Sequence, residues 1–485
     1  MDFFNEEHDK EIQNLKQTLI NFNTTCTEVE AFSQKESDET LIRKLETKLH
    51  DILVLIKEKI VSREEFLFLL NSSVTLDNLF KLLKGDNAKL ILGVIGILKD
   101  ITSADLLEDA VFDLMQSMLK KHLIVLLVYT IQRMNQDDKD QYNGTYDILK
   151  IVSNCFLLGN KIVDKPSSKY LMTWLLKHLR MTKNYSKKLV YASELLHILL
   201  RDNEDHRQVF RELEKGLETV LNQTGYFYHH DPKTQEERTI MSNIFDIICD
   251  LLTAASFRHK FLQLDGLSSM LDIIKTKRAA TVCAVKVLSY ALYGPNGEDS
   301  CNKLIELDGL AILFDIGFNQ FDGVNSESIE EYVRLFSSIV VSLIRNCGSV
   351  ELDELSTYFK KDEYMELNNL LSLYFQYYRR IQNIYVELPV DTSNNDTYRV
   401  YLQLGYHTLQ LITFILVWLS QNDWEIYVIF LKALNKKRCP LREVQFILWD
   451  FANNLPKEGL KEWQNQEAQR IMVLTKNFMQ TNVCK

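Results

Sequence analysis

Turn-forming residues are scarce in this chain. Six Pro and 16 Gly among 485 residues amount to about 1% and 3%, against roughly 5% and 7% in average usage. β-Sandwiches, barrels and doubly wound folds need such residues at nearly every connection. The deficit excludes them and points to helices. A basic excess is missing too: 56 Lys and Arg stand against 66 Asp and Glu, a net charge of −10. Nucleic-acid binders gain affinity by neutralising phosphates, so this balance suits a basic protein partner better than a nucleic acid. The eight cysteines form no C-x-x-C and no close pair. That argues against zinc ribbons, redox motifs and a dense disulfide framework. Several sit in apolar helical runs, as buried thiols do in a reducing compartment.

Long apolar runs are likewise lacking. The first 20 residues are charged and carry no signal-peptide core. The most apolar stretch, Leu404 to Leu419, is interrupted by His407, Thr408 and Gln410 and falls short of the ~20 residues a membrane span needs. It reads as a buried core helix, and the chain as soluble and intracellular. Nucleotide-binding glycine loops, H-E-x-x-H and G-x-S-x-G are all absent, so no enzyme activity, catalytic residue or cofactor is expected. His229-His230-Asp231 is the one histidine cluster. Adjacent side chains diverge and no further ligand follows at metal spacing, so a solvated loop is expected there rather than a metal site. His178, His197 and His407 fall within helical runs as core or interface imidazoles. Lys436-Lys437-Arg438 is a weak nuclear-localisation match and reads as a solvated helix end before Pro440.

What the chain has is helical periodicity almost throughout. In Met241–Thr253 the apolar residues Met241, Ile244, Phe245, Ile248, Leu251 and Leu252 are spaced by three and four, with Asn243, Asp246 and Asp250 opposite. It also has an internal repeat. Phe261-Leu-Gln-Leu-Asp-Gly-Leu267 recurs as Leu304-Ile-Glu-Leu-Asp-Gly-Leu310, and Phe210-Arg-Glu-Leu-Glu-Lys-Gly-Leu217 is a looser copy. The order predicted is a short helix, a glycine permitting a tight bend with close backbone approach, a second helix, then a longer third helix. Copies without the glycine carry Ser72-Ser73 and Lys121-His122 at the bend, and Lys169–Leu179 is another. A period of ~40–47 with this order is the armadillo/HEAT signature.

The expected fold is therefore all-α: an armadillo/HEAT-type right-handed superhelical solenoid of about six or seven repeats. Residues 1–60 form a helical N-terminal extension, 61–386 the solenoid and 387–485 a C-terminal helical region, the last boundary falling around Glu387–Thr397. In such a solenoid the third helices line a groove in which Asn binds a peptide backbone and carboxylates attract Lys and Arg. Aligning the apolar stripes gives five outward pairs: Gly96/Asp100, Lys150/Asn154, Asp246/Asp250, Lys286/Tyr290 and Ser342/Asn346. Asp100, Asn154, Asp250, Tyr290 and Asn346 then form a polar ladder, with Asp246 and Asp250 its most anionic rung. Solvated faces of ordinary amphipathic helices give the same pattern. Trp418, Trp424, Phe430 and Trp449 supply apolar surface either for a homodimer or for closing the solenoid's end.

Several of these stretches resemble one known family. Trp174-Leu-Leu-Lys-His-Leu179, Ser193-Glu-Leu-Leu-His-Ile-Leu-Leu-Arg-Asp-Asn203, Asn243-Ile-Phe-Asp246 and, most specifically, Gly294-Pro-Asn-Gly-Glu-Asp-Ser-Cys301 leading into Leu307-Asp-Gly-Leu310 resemble the beta-catenin-like family of armadillo-repeat proteins. The likeness covers most of the chain. It implies a nuclear, non-catalytic scaffold of the spliceosome-associated Prp-nineteen complex that binds basic localisation segments of splicing factors. A transport or degradation adaptor on the same solenoid is the alternative. Two features depart from the pattern. The family's long charged N-terminal region is replaced by a short helical segment, and none of the five groove pairs begins with the Trp of importin-alpha adaptors.

Overall fold

The computed structural model describes residues 2–33, 39–60, 64–103, 109–135, 137–157, 165–179, 187–201, 203–294, 297–317, 326–385, 394–455 and 461–481. Among the described residues there are only helices and no strand. They group into two compact units, Met1–Gln223 with Thr234–Asp250, and Thr224–Lys233 with Leu251–Lys485. The expected boundary at 387–397 lies largely outside the described residues.

In the first unit α1 (Asp2–Ser33) and α2 (Glu39–Ile60) pair with each other. α3 (Glu64–Leu70), α4 (Ser73–Lys84) and α5 (Ala88–Ile101) form one set of three with the third helix longest, and α6 (Asp109–Lys120), α7 (Leu123–Arg133) and α8 (Lys139–Leu157) the next. α9 (Lys165–His178) and α10 (Lys187–Leu200) follow, then α11 (Glu204–Arg211), α12 (Gly216–His229) and α13 (Gln235–Leu252). α1 packs on α4 and α2 on α5, so the N-terminal pair is the first layer of the stack. Glycines permit the close approach: a Cβ at Gly93 would stand 3.1 Å from the Leu53 side chain, and one at Gly96 3.3 Å from Lys57 Nζ.

The second unit carries α14 (Ala255–Gln263), α15 (Gly266–Lys275), α16 (Thr281–Leu292), α17 (Glu298–Glu306), α18 (Gly309–Ile316) and α19 (Ser326–Asn346). α20 (Ser349–Tyr385) is broken at 361–364, where Asp362, Glu363 and Tyr364 take positive φ. α21 (Asn394–Gln403), α22 (Tyr406–Asn422), α23 (Trp424–Lys436), α24 (Leu441–Asn453) and α25 (Lys461–Thr481) complete it. The apolar stretch at 404–419 becomes α22, which buries thirteen residues among α19, α20, α24 and α25. No single described helix is long and apolar enough to cross a membrane.

The Asp-Gly repeat has an identical main-chain design in both copies. Leu264 and Asp265 N–H groups donate to Lys260 and Leu262 carbonyls, and Leu307 and Asp308 donate to Lys303 and Ile305 in the same way. The expected glycine bend differs in one respect. The left-handed residue is the aspartate, Asp265 at φ 52° and Asp308 at φ 54°, while the glycine is the first residue of the second helix. The glycine is needed for proximity. A Cβ on Gly266 would enter the Phe261 ring, and one on Gly309 would stand 2.6 Å from the Leu304 carbonyl oxygen. Short polar Asp tolerates the left-handed region better than most side chains. His122 occupies the equivalent bend before α7 at φ 60°, at the position read from Lys121-His122.

First helices also cap the third helix before them, a feature the sequence did not reveal. His206 on α11 donates through Nδ1 to the Leu199 carbonyl at 2.9 Å, while its Nε2 takes the Ser168 hydroxyl at 2.9 Å. Arg258 on α14 donates to the Leu252 and Thr253 carbonyls. Each satisfies carbonyls that a helix end leaves without partners.

Candidate functional site

The third helices are where a repeat of this kind can present a continuous row of side chains. In the first unit these are α2, α5, α8 and α10, packed in that order, with α13 tied to α10. Neighbours are cross-linked by polar and aromatic pairs. Lys99 Nζ lies 2.7 Å from Asp147 Oδ1, the Tyr146 and Tyr191 rings are 6.2 Å apart, and Asn243 Nδ2 donates to Ser193 Oγ at 3.1 Å. His197 Nδ1 and Asp250 Oδ2 are 2.9 Å apart. α13 begins with a reciprocal cap, Thr234 and Glu237 each accepting the other's N–H, which fixes where its first turn starts.

The proposed rungs are placed as follows. Asp100 is half-buried in the last turn of α5. Gly96, its partner at i−4, faces Lys57 of α2. On α8, Lys150 is exposed and Asn154 half-buried; the Asn154 Nδ2 is enclosed without a hydrogen-bond partner. Asp246 is half-buried and accepts the Ser242 hydroxyl at 3.1 Å. Asp250 is engaged by His197, both side chains about one-fifth exposed. Asp250 is therefore held in place by the stack.

In the second unit Tyr290 on α16 is 36% exposed. Asn346, the last residue of α19, donates to the Leu292 carbonyl at 3.4 Å, while its companion Ser342 is buried. Ser289 and Ser338 hydroxyls join α16 to α19 at 3.2 Å. The structure thus brings Asp100, Asn154, Asp246 and Asp250 into one unit and Tyr290 and Asn346 into the other. One contact escaped sequence reasoning, that of His197 on α10 with Asp250, 53 residues later. The spacing itself carried the signal, while Ser193 one turn earlier is fully buried.

Elsewhere, His230 stacks on Tyr226 with centroids 4.5 Å apart, and Asp231 accepts the Ala279 N–H. Among the described residues no group of three or more His, Cys, Asp or Glu could hold a metal ion. None of the seven described cysteines forms a disulfide. Burial raises Cys26 and Cys155 to about 12, which leaves both as unreactive neutral thiols. Of the four aromatics expected at one surface, Trp424 and Trp449 are half-exposed, whereas Phe430 is fully buried.

Stacked helix sets, with polar rows on the third helices, define an all-α armadillo-type repeat protein. The comparison with known proteins narrows this. A family model described as "Catenin-beta-like, Arm-motif containing nuclear" matches residues 4–449, and the chain belongs to that family. It is 28% identical over 423 residues to the Homo sapiens protein named beta-catenin-like protein 1, covering 83% of this chain and 74% of that one. It is 24% identical over 396 residues to the beta-catenin-like protein 1 homolog of Schizosaccharomyces pombe, covering 80% and 69%.

Proposed function

We propose that the chain is a nuclear, non-catalytic scaffold whose third-helix face binds basic segments of partner proteins, splicing factors of the Prp-nineteen complex among them. The observation that carries this reading is the acidic row on the first unit's third helices. Asp100, Asp147, Glu194, Asp246 and Asp250 stand on α5, α8, α10 and α13, and each is only partly buried. Carboxylates held on rigid helices attract Lys and Arg side chains without reorganisation. The family description names nuclear proteins, which supports the location.

The test spares Asp250, because His197 depends on it. Asp100→Lys with Asp246→Lys should weaken binding of a fluorescein-labelled Lys/Arg-rich peptide at least about fivefold, read by anisotropy. Lysines at Glu351 and Glu354, on the second unit's α20, should leave it unchanged. Binding should weaken as salt rises, because exposed charge pairs are screened. Equal affinities for the two double variants would remove the groove assignment.

A further inference from the structure

α20 contains neither glycine nor proline, yet it is broken. Lys361 is extended at ψ 155°, and Asp362, Glu363 and Tyr364 follow at φ 49°, 55° and 63°. Elsewhere among the described residues positive φ falls on single non-glycine residues, in keeping with what that region costs a residue with a Cβ. Three in a row, one of them a tyrosine, persist only where neighbours hold them. The two halves of the helix are fixed, with Leu355 and Phe359 buried before the break and Leu367 and Leu370 after it. Between them Lys360, Lys361, Asp362, Glu363 and Met365 are exposed and Tyr364 is half-buried.

The start of α23 supplies the hold. The Tyr364 hydroxyl donates to Glu425 Oε2, and Lys360 Nζ lies 2.5 Å from Asp423 Oδ2, so one tether stands on each side of the break. Asp423 is also the N-cap of α23, its Oδ1 accepting the Glu425 and Ile426 N–H groups at 2.8 and 3.1 Å. Burial opposes its charge, but the hydrogen bonds from Lys360 and Ile426 outweigh that and hold Asp423 below its usual range. The bond to Glu425, then burial, push the Tyr364 hydroxyl up to about 12, so it stays a donor. The phenol at 364 therefore sits on non-helical backbone behind two exposed carboxylates. Neighbouring tyrosines differ: Tyr358 is stacked on Phe314 with centroids 4.8 Å apart, and Tyr374 is fully buried.

We propose that Tyr364 is a phosphorylation site for a tyrosine kinase with a basic substrate cleft, and that the phosphate unlatches the break in α20 from α23. A kinase must draw its substrate hydroxyl out of the fold, which costs least where the helix is already interrupted. Asp362 and Glu363 attract a basic cleft. In the transfer the phenolic oxygen bonds to the γ-phosphorus of Mg-ATP, and the bond from that phosphorus to the bridging oxygen of the β-phosphate breaks. ADP leaves, and the phenolic proton passes to the kinase's carboxylate base. The product has no phenolic hydrogen for Glu425 and sets a charge of about −1.5 to −2 against two carboxylates. Lys360 is drawn to the phosphate and away from Asp423, so both tethers go. A helix N-terminus attracts phosphate in general, but at α23 Asp423 already takes two of the first N–H groups.

The full chain is incubated with Mg-ATP and a tyrosine kinase domain that prefers acidic substrates, and the labelled sites are mapped by mass spectrometry. Tyr364 should gain phosphate at least about tenfold faster than Tyr358, which sits in intact helix. Hydrogen exchange over 360–365 and 423–427 should then be at least about fivefold faster than in the unmodified chain. Tyr364→Phe, which removes the donor without adding charge, should lie between the two. Glu425→Gln should reduce the acceleration caused by phosphate, since one of the two facing carboxylates is gone. Circular dichroism melts establish that both variants fold. Failure to label Tyr364 ahead of Tyr358, exchange unchanged by phosphate, or an acceleration as large in Glu425→Gln would each overturn the proposal.

Discussion

The first layer of the chain and its last helix solve the same problem with different chemistry. A stack of repeats has an apolar face at each end that something must cover. At the N-terminal layer the core of Leu15, Leu19, Phe22, Leu49 and Ile56 is edged by neutral hydrogen bonds. Asn23 Nδ2 donates to Thr75 Oγ1 at 3.1 Å and its Oδ1 accepts from Asn78 Nδ2 at 2.8 Å. Lys59 reaches Thr18, and Lys81 pairs with Glu30 in the open. In the second unit, by contrast, α25 is anchored by a buried charge pair. Arg345 Nε lies 2.8 Å from Glu467 Oε2 with the two side chains 7% and 8% exposed. Arg470 then donates to the Ile344 and Arg345 carbonyls, closing the end of α19. Phe478 of the same helix meets Tyr427 and Phe430. The N-terminal layer is fastened by neutral, replaceable contacts, whereas the contacts of α25 include a buried charge pair that tolerates no half-measure.

The sharpest way to break that contrast is Glu467→Ala. Burial holds Arg345 below its usual range and Glu467 is what opposes that. The pair is close, yet Arg345 Nε and Nη2 and Glu467 Oε2 make no well-aligned hydrogen bond, so charge carries it. Removing the carboxylate strands a buried guanidinium, and a loss of about 3–5 kcal/mol is expected in urea unfolding. Arg345→Met added to Glu467→Ala should recover most of it, since two apolar groups replace a desolvated pair at little cost. Equal losses in single and double variants would show that packing, and not charge, fastens α25.

Next in size comes Asn23→Ala at the other end. It leaves Asn78, 8% exposed, without its acceptor and Thr75, 1% exposed, without its donor. Thr75 can turn its hydroxyl elsewhere, and the Asn78 amide can reach water at the edge. A loss of about 1–2 kcal/mol is expected, smaller than that at Glu467 because no charge is stranded. A loss equal to that of Glu467→Ala would erase the distinction between the two ends.

The same contrast marks what could be read from the chain beforehand. Repeat order was legible because each set needs one apolar stripe per helix, and stripes are local in sequence: Met241, Ile244, Phe245 and Ile248 announce α13 wherever it packs. The bend was legible as a place but not as a conformation. Gly266 and Gly309 are visible as glycines, whereas the left-handed turn falls on Asp265 and Asp308, which nothing local distinguishes from a helix-ending aspartate. The polar row was half legible. Asp246 and Asp250 stand out on one helix, but that Asp250 is taken up by His197, 53 residues earlier, depends on how two helices meet. The Arg345–Glu467 pair was invisible for the same reason at longer range.

The smallest expected effect belongs to the exposed pair at the N-terminal layer. Lys81 Nζ and Glu30 Oε2 approach to 2.8 Å, but the side chains are 57% and 49% exposed. Hydrogen bonding to Glu30, then its charge, raises Lys81, yet water and salt screen a pair so placed, and two long side chains lose freedom to hold it. Lys81→Met, Glu30→Gln and the double variant should therefore share the wild-type urea midpoint within error, with no coupling in the cycle. Measurable coupling that survives at high salt would mean this layer too is fastened by charge, and the difference between the two ends would then be one of burial alone.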